Sequence, residues 1–219
     1  RHVMENLHVS DNKRYLMKGS ETFFWLADTG WLIFGNISEE EAYNYLKNRA
    51  DKGFNVIQAV LVYSTKELES VNKMYWGGAD RINDEEYWQH VERIIKMADK
   101  LGLYMALLPS WGSLLKNNLI TSENVLVYGR FLAERLEKYS NIIWVLGGDI
   151  KADNYVEIYR KLGRYFKEKM PDKLITFHPF GRCASSMWFA DDSWLDFNMF
   201  QSGHRRYDQC NLGAWDDTD

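Results

Sequence analysis

Short runs of apolar residues alternate along most of this chain with longer stretches whose apolar positions recur at helical spacing. That alternation marks βα units feeding a parallel sheet, whose strands are buried on both faces and so read as unbroken apolar runs. The first run is Phe23 to Ala27, closing at Asp28. Val56 to Leu61, Leu103 to Leu108, Ile142 to Leu146 and Leu174 to Phe177 follow it, and a sixth strand is predicted at Phe197 to Phe200. Ahead of them, Leu7 to Lys18 reads as a hairpin turning at Asp11-Asn12, whose side chains can bond their own backbone. Residues 1–20 are therefore read as a cap on the main domain.

Helix signals fall between the runs. Ser38 with Glu41 three residues on is a capping box, opening a helix that reaches about Lys52 and stops at Gly53. Asn83 with Glu86 repeats the signal, ahead of Trp88, Val91, Ile94, Ile95 and Ala98 on one stripe. Further helices are predicted over about Ser122 to Tyr139 and Asn154 to Lys169. A long loop from Tyr63 to Ile82 contains Tyr75-Trp76-Gly77-Gly78. The whole pattern predicts a (β/α)₈ barrel, in one domain over residues 1–219, of which about six βα units are present. A barrel of this kind needs eight strands over ~250 residues. The expectation is thus a barrel that stops before strands seven and eight, with an open parallel sheet as the alternative.

Composition narrows the function classes. With 219 residues, 46% of them apolar and 26% charged, the chain is long enough for one sizeable core. A net charge of -4 without a basic run gives no footprint for nucleic acid. No apolar stretch approaches the ~20 residues of a membrane span. Nor does the chain open with the charged and apolar regions of a signal peptide. Cys183 and Cys210 lack the spacing of a zinc site; two thiols, or one disulfide in an oxidising compartment, are the readings left. Aromatic residues reach 15%, nine of them Trp, which serves either a large core or the stacking of sugar faces.

Loops after the C-terminal ends of parallel strands form the active face of such architectures. Here they carry Asp28, Trp31, Tyr63, Trp111, Asp149, His178, Gln201 and His204. That mixture suits hydrogen bonding to hydroxyls, stacking on a sugar face and proton transfer. GxGxxG, Walker, HExxH and GxSxG motifs are all missing, which argues against nucleotide, zincin and nucleophile-elbow chemistry. Neither a cofactor nor a metal is expected.

Glycoside hydrolysis usually takes two carboxyl groups, one of which donates a proton to the leaving oxygen. Asp149 is the best candidate acid. It follows a strand without a polar residue, and Gly147-Gly148 lets the backbone approach a substrate closely. Partial burial would favour its protonated form; capping a loop or helix is the structural alternative. Asp28 is the other strand-end carboxylate, with bonding to the Thr29-Gly30-Trp31 turn as its alternative role. Trp31, Trp111, His178, Gln201 and His204 are candidate substrate contacts, although Trp111 could instead cover the barrel mouth and the polar residues order their loops. Trp144 and Trp88 are read as core.

Six stretches in order carry a family resemblance: Phe24 to Trp31, Lys52 to Gln58, Leu107 to Gly112, Asn141 to Asp149, Ile175 to Pro179 and Asp196 to His204. On them the chain resembles the apiosidase-like glycoside hydrolases, the family 140 catalytic domain. The resemblance implies a (β/α)₈ barrel acting on plant cell-wall oligosaccharides, often pectic side chains, and export to the periplasm or cell surface. It also implies that the Asp after the Gly-Gly pair, here Asp149, is the acid/base of a retaining glycosidase. The partner Glu of such proteins, on strand seven, has no counterpart in this sequence and is expected beyond residue 219. The competing reading is a non-catalytic carbohydrate-binding protein that uses Trp111, His178 and Gln201 without chemistry.

Overall fold

The computed structural model describes residues 4–35, 37–63 and 82–203. The chain opens with a three-stranded antiparallel meander, β1 (His8–Val9), β2 (Leu16–Lys18) and β3 (Glu21–Phe23). The expected hairpin is its first half, with His8 opposite Met17 and Val9 opposite Leu16.

Five parallel strands then form one sheet in chain order: β4 (Ala27–Thr29), β5 (Val56–Val60), β6 (Tyr104–Leu108), β7 (Ile142–Ile150) and β8 (Ile175–Pro179). Helices α1 (Glu39–Asp51), α2 (Glu85–Lys100), α3 (Ser113–Lys116), α4 (Val125–Leu136) and α5 (Val156–Lys169) occupy the connections. Helix α1 packs on α2 and α4 on α5, while α2 and α5 also lie on β6 and β7. The architecture is that of a partial (β/α)₈ barrel.

Several elements follow directly from the sequence. Ser38 accepts from the Glu41 backbone N–H while Glu41 reaches back to Ser38, so α1 begins at the capping box. Trp88 and Trp144 are fully buried. Trp144 lies 4.6 Å from Phe166 of α5, and its indole N–H points at the Met170 sulfur, 3.4 Å away.

Three elements depart from expectation. The apolar run Phe23 to Ala27 is not one strand: Phe23 ends β3, Phe24 is 77% exposed, and the parallel strand starts at Ala27. Asn55 causes the break. Its amide donates to the Phe24 carbonyl at 2.6 Å and accepts the Leu26 N–H at 2.9 Å, taking both groups out of any ladder. Asp28 therefore sits inside β4 rather than after it. At α2 the cap is Asp84, whose carboxylate accepts the Tyr87 N–H at 3.1 Å, one residue later than predicted.

The sixth run does not join the parallel sheet among the described residues. Instead β10 (Phe200–Gln201) pairs antiparallel with β9 (Cys183–Ala184), and the short α6 (Ser186–Phe189) follows β9. Beside β8 a single main-chain bond, from the Asp196 N–H to the Ile175 carbonyl at 2.8 Å, is supplemented by side chains. The Ile175 N–H donates to the Asp196 carboxylate at 2.7 Å, and the Thr176 hydroxyl to the Phe197 carbonyl at 2.7 Å. Cys183 is buried in β9, whereas Cys210 and the Tyr75-Trp76-Gly77-Gly78 stretch lie outside the described residues.

Candidate active site

The site is built around a break in the β7–β8 ladder. Gly147 pairs with His178 and Ile150 with Pro179, so Gly148 and Asp149 form a bulge with no partners opposite. Gly147, Gly148 and Asp149 have φ of 85°, 118° and 53°. At Gly147 only a glycine fits, because a Cβ would stand 2.4 Å from the His178 carbonyl oxygen. Asp is one of the few side chains that enters the left-handed region at modest cost.

The bulge turns the Asp149 backbone N–H out of the ladder, and it donates to Nδ1 of His178 at 3.1 Å. On the other side, the Gly148 carbonyl accepts the Gly112 N–H at 3.0 Å. The Asp149 carboxylate Oδ1 accepts from Nε2 of Gln201 at 3.1 Å, and the same amide donates to the Pro179 carbonyl at 2.8 Å. Gln201 of β10 thus holds the carboxyl group, while His178 of β8 holds the backbone of the same residue.

Aromatic rings cluster around His178 and Trp111. Trp31 meets Trp111 and His178 edge-on, at 5.3 and 5.5 Å between ring centres, and Trp111 lies 5.7 Å from both His178 and Tyr63. Burial pushes the His178 imidazole below its ordinary pKa, while the Asp149 charge and the His178 and Pro179 carbonyls pull the other way. Burial, with the Asp149 charge beside it, raises the Tyr63 phenol, which stays protonated.

Asp149, His178, Gln201, Trp31 and Trp111 are therefore brought together. The Asp28 carboxylate is taken up elsewhere, by the Tyr45 hydroxyl at 2.9 Å, by Arg49 of α1 and by the Thr29 N–H at 2.9 Å. Burial acts to raise it, but those bonds outweigh burial and hold it below the usual carboxylate range. His204 lies outside the described residues. Among the described residues, no three His, Cys, Asp or Glu side chains gather as a metal-ligand set.

Three rim residues were not singled out from the sequence. Phe180, immediately after β8, is 40% exposed, and the ammonium groups of Lys116 and Lys151 lie 5.9 and 5.8 Å from its ring centre. Their positions were the available signal: Lys151 is two residues past Asp149, and Phe180 two past His178.

A family model described as apiosidase-like, catalytic domain, matches residues 10–218. The chain belongs to that family. Two solved structures resemble this apiosidase-like domain over 94% of its length with a TM-score of 0.84. One is a family 5 glycoside hydrolase from Bacteroides vulgatus, 38% identical, and the other a glycoside hydrolase, 39% identical. The apiosidase-like domain spans 46% and 48% of those two chains, less than half of each. An endo-1,4-β-mannanase from Rhizomucor miehei, 8% identical with a TM-score of 0.61 over 79% of this chain and 60% of its own, shares the fold alone. No curated protein matches the chain. No described helix of the apiosidase-like domain is long and apolar enough to cross a membrane.

Proposed function

We propose that this domain carries the acid/base half of a glycoside hydrolase acting on pectic side-chain oligosaccharides, with Asp149 as the proton donor. The observation that carries the reading is the Asp149 carboxyl at the end of the fourth parallel strand, held by Gln201 through Oδ1 while Oδ2 has no partner among the described residues. Trp31, Trp111 and His178 supply the flat, partly apolar wall that a sugar face stacks against.

In this reading Asp149 gives its proton to the glycosidic oxygen as the bond to the anomeric carbon breaks. A second carboxylate, from the part of the relatives' length that these residues do not span, attacks that carbon. Asp149 then takes a proton from water as the water oxygen bonds to the anomeric carbon and the bond to the second carboxylate breaks, which restores both groups. A retaining geometry requires the two carboxyl groups ~5 Å apart, against ~6.5–9.5 Å for inversion.

The pectic assignment draws support from the rim. Lys116 and Lys151 converge on one exposed ring, an arrangement of like charges suited to a sugar bearing carboxylates. Export to the periplasm or cell surface accords with a polysaccharide substrate. The test is Asp149→Asn in the full-length protein. Turnover of glycosides with poor leaving groups should fall at least ~100-fold, the lower bound for losing a general acid, with binding retained. An unchanged rate would overturn the assignment.

A further inference from the structure

We propose that His178 is a positioning residue for Asp149: held as the Nε2–H tautomer by the Asp149 backbone N–H, it fixes the bulge that aims the carboxyl group, and its protonation releases that bulge. The inference rests on Asp149 being the acid.

The chemistry of the donors sets the tautomer. A peptide N–H can only donate, so the nitrogen it meets, Nδ1 of His178, must present a lone pair. The single proton of the neutral ring then sits on Nε2. A charged imidazole carries hydrogens on both nitrogens, and its Nδ1–H would oppose the Asp149 N–H. The same reasoning fixes Gln201. The Pro179 carbonyl only accepts, so the group facing it is the amide NH₂, whose other hydrogen goes to Oδ1 of Asp149. The transferable proton of the acid is thereby assigned to Oδ2.

These contacts depend on one another. Asp149 is a non-glycine residue in the left-handed region, and in the bulge its N–H has no strand partner. The ring of His178 is that partner, which links the protonation state of one residue to the backbone of the other. Asp149 on β7 is the charge that bears on the ring. Trp31 and Trp111 pack on it from the loops after β4 and β6, Tyr63 lies against Trp111, and the His178 and Pro179 carbonyls are close by. Burial favours the neutral ring and the Asp149 charge opposes it, with burial the larger effect.

Two measurements on the full-length protein decide the matter. In nitrogen-15 spectra of the imidazole at neutral pH, Nδ1 should be unprotonated and Nε2 protonated, in the wild type and in Asp149→Asn alike. Second, kcat/KM should show an acid limb that lies below the ordinary His value of ~6.5, since burial lowers the ring. His178→Asn keeps an acceptor near the Nδ1 position and does not titrate, so it should lose that acid limb. His178→Leu has no acceptor and should drop kcat by ~100-fold, the scale of an ångström's misplacement, with KM little changed. The Asn variant should recover ~10-fold or more of that loss.

An Nδ1–H tautomer, or a wild-type acid limb in His178→Asn, would overturn the proposal. Full activity in Asp149→Asn would instead remove the acid assignment on which the positioning role stands.

Discussion

Gly148 lies against the Trp111 indole so closely that a Cβ built on it would stand 3.0 Å from Cε3 of the ring and 3.0 Å from the Gly112 nitrogen. Its φ of 118° is also closed to other residues. Gly148→Ala should therefore cost about 1–3 kcal/mol through backbone strain and overpacking. Urea denaturation reads the loss, and tryptophan fluorescence should report a displaced Trp111. Unchanged stability and spectrum would mean that the bulge relaxes freely.

Asp28 ties β4 to α1 through Arg49 and Tyr45. Asp28→Ala removes the acceptor of the Tyr45 hydroxyl, the Arg49 Nε–H and the Thr29 N–H, and should destabilise the fold by about 1–3 kcal/mol. The pH dependence has a definite sign. The folded carboxyl lies below its ordinary value of 3.8, so its contribution is complete above that value and is lost as pH falls through the folded one. The stability gap between wild type and Asp28→Ala should close in acid. A gap constant down to pH ~2 would dismiss the ion pair as its source.

Strands β5, β6, β7 and β8 were readable because both faces of each are largely covered, which leaves predominantly apolar runs broken only singly, by Gln58 in β5 and Thr176 in β8. The first run misled because Asn55, thirty residues on, supplies hydrogen bonds in place of a strand partner, and periodicity does not register such a tertiary contact. Asp196 and Thr176 add similar side-chain bonds beside β8. Helices α3 and α6 have four residues each, too few for a helical period to show. At the candidate site, residue types and strand ends pointed to Asp149, His178, Trp31, Trp111 and Gln201, which the fold brings close together. The Gly-Gly pair hinted at unusual backbone. That Asp149 itself is left-handed, and bonded through its peptide to a side chain, depends on the register between two strands and is invisible in one sequence.

Lys173 is buried and donates to the Tyr139 carbonyl, and burial pushes its ammonium down to about 8. The unfolded chain keeps that proton up to the ordinary value of 10.5. Between these values the unfolded state binds more protons, so stability from this group rises with pH. Wild type should gain on Lys173→Met between pH ~8 and ~10.5 in parallel denaturation series. A difference independent of pH would contradict a desolvated ammonium.

If the Lys116–Lys151 rim meets acidic sugars, replacing both lysines by Gln should raise KM for uronic-acid oligosaccharides by ~3–10-fold at low salt. Neutral glycosides should be little affected, and added salt should erase the difference. Equal effects on both substrate types would detach the rim from charge recognition.

An aspartate holds its carboxyl one methylene nearer the chain than a glutamate does. At the end of β7 the bulge takes residue 149 off the regular ladder and sets it in the left-handed region. The shorter side chain there has fewer rotors to freeze. A longer acid at this position would bring extra freedom where the fold has removed it.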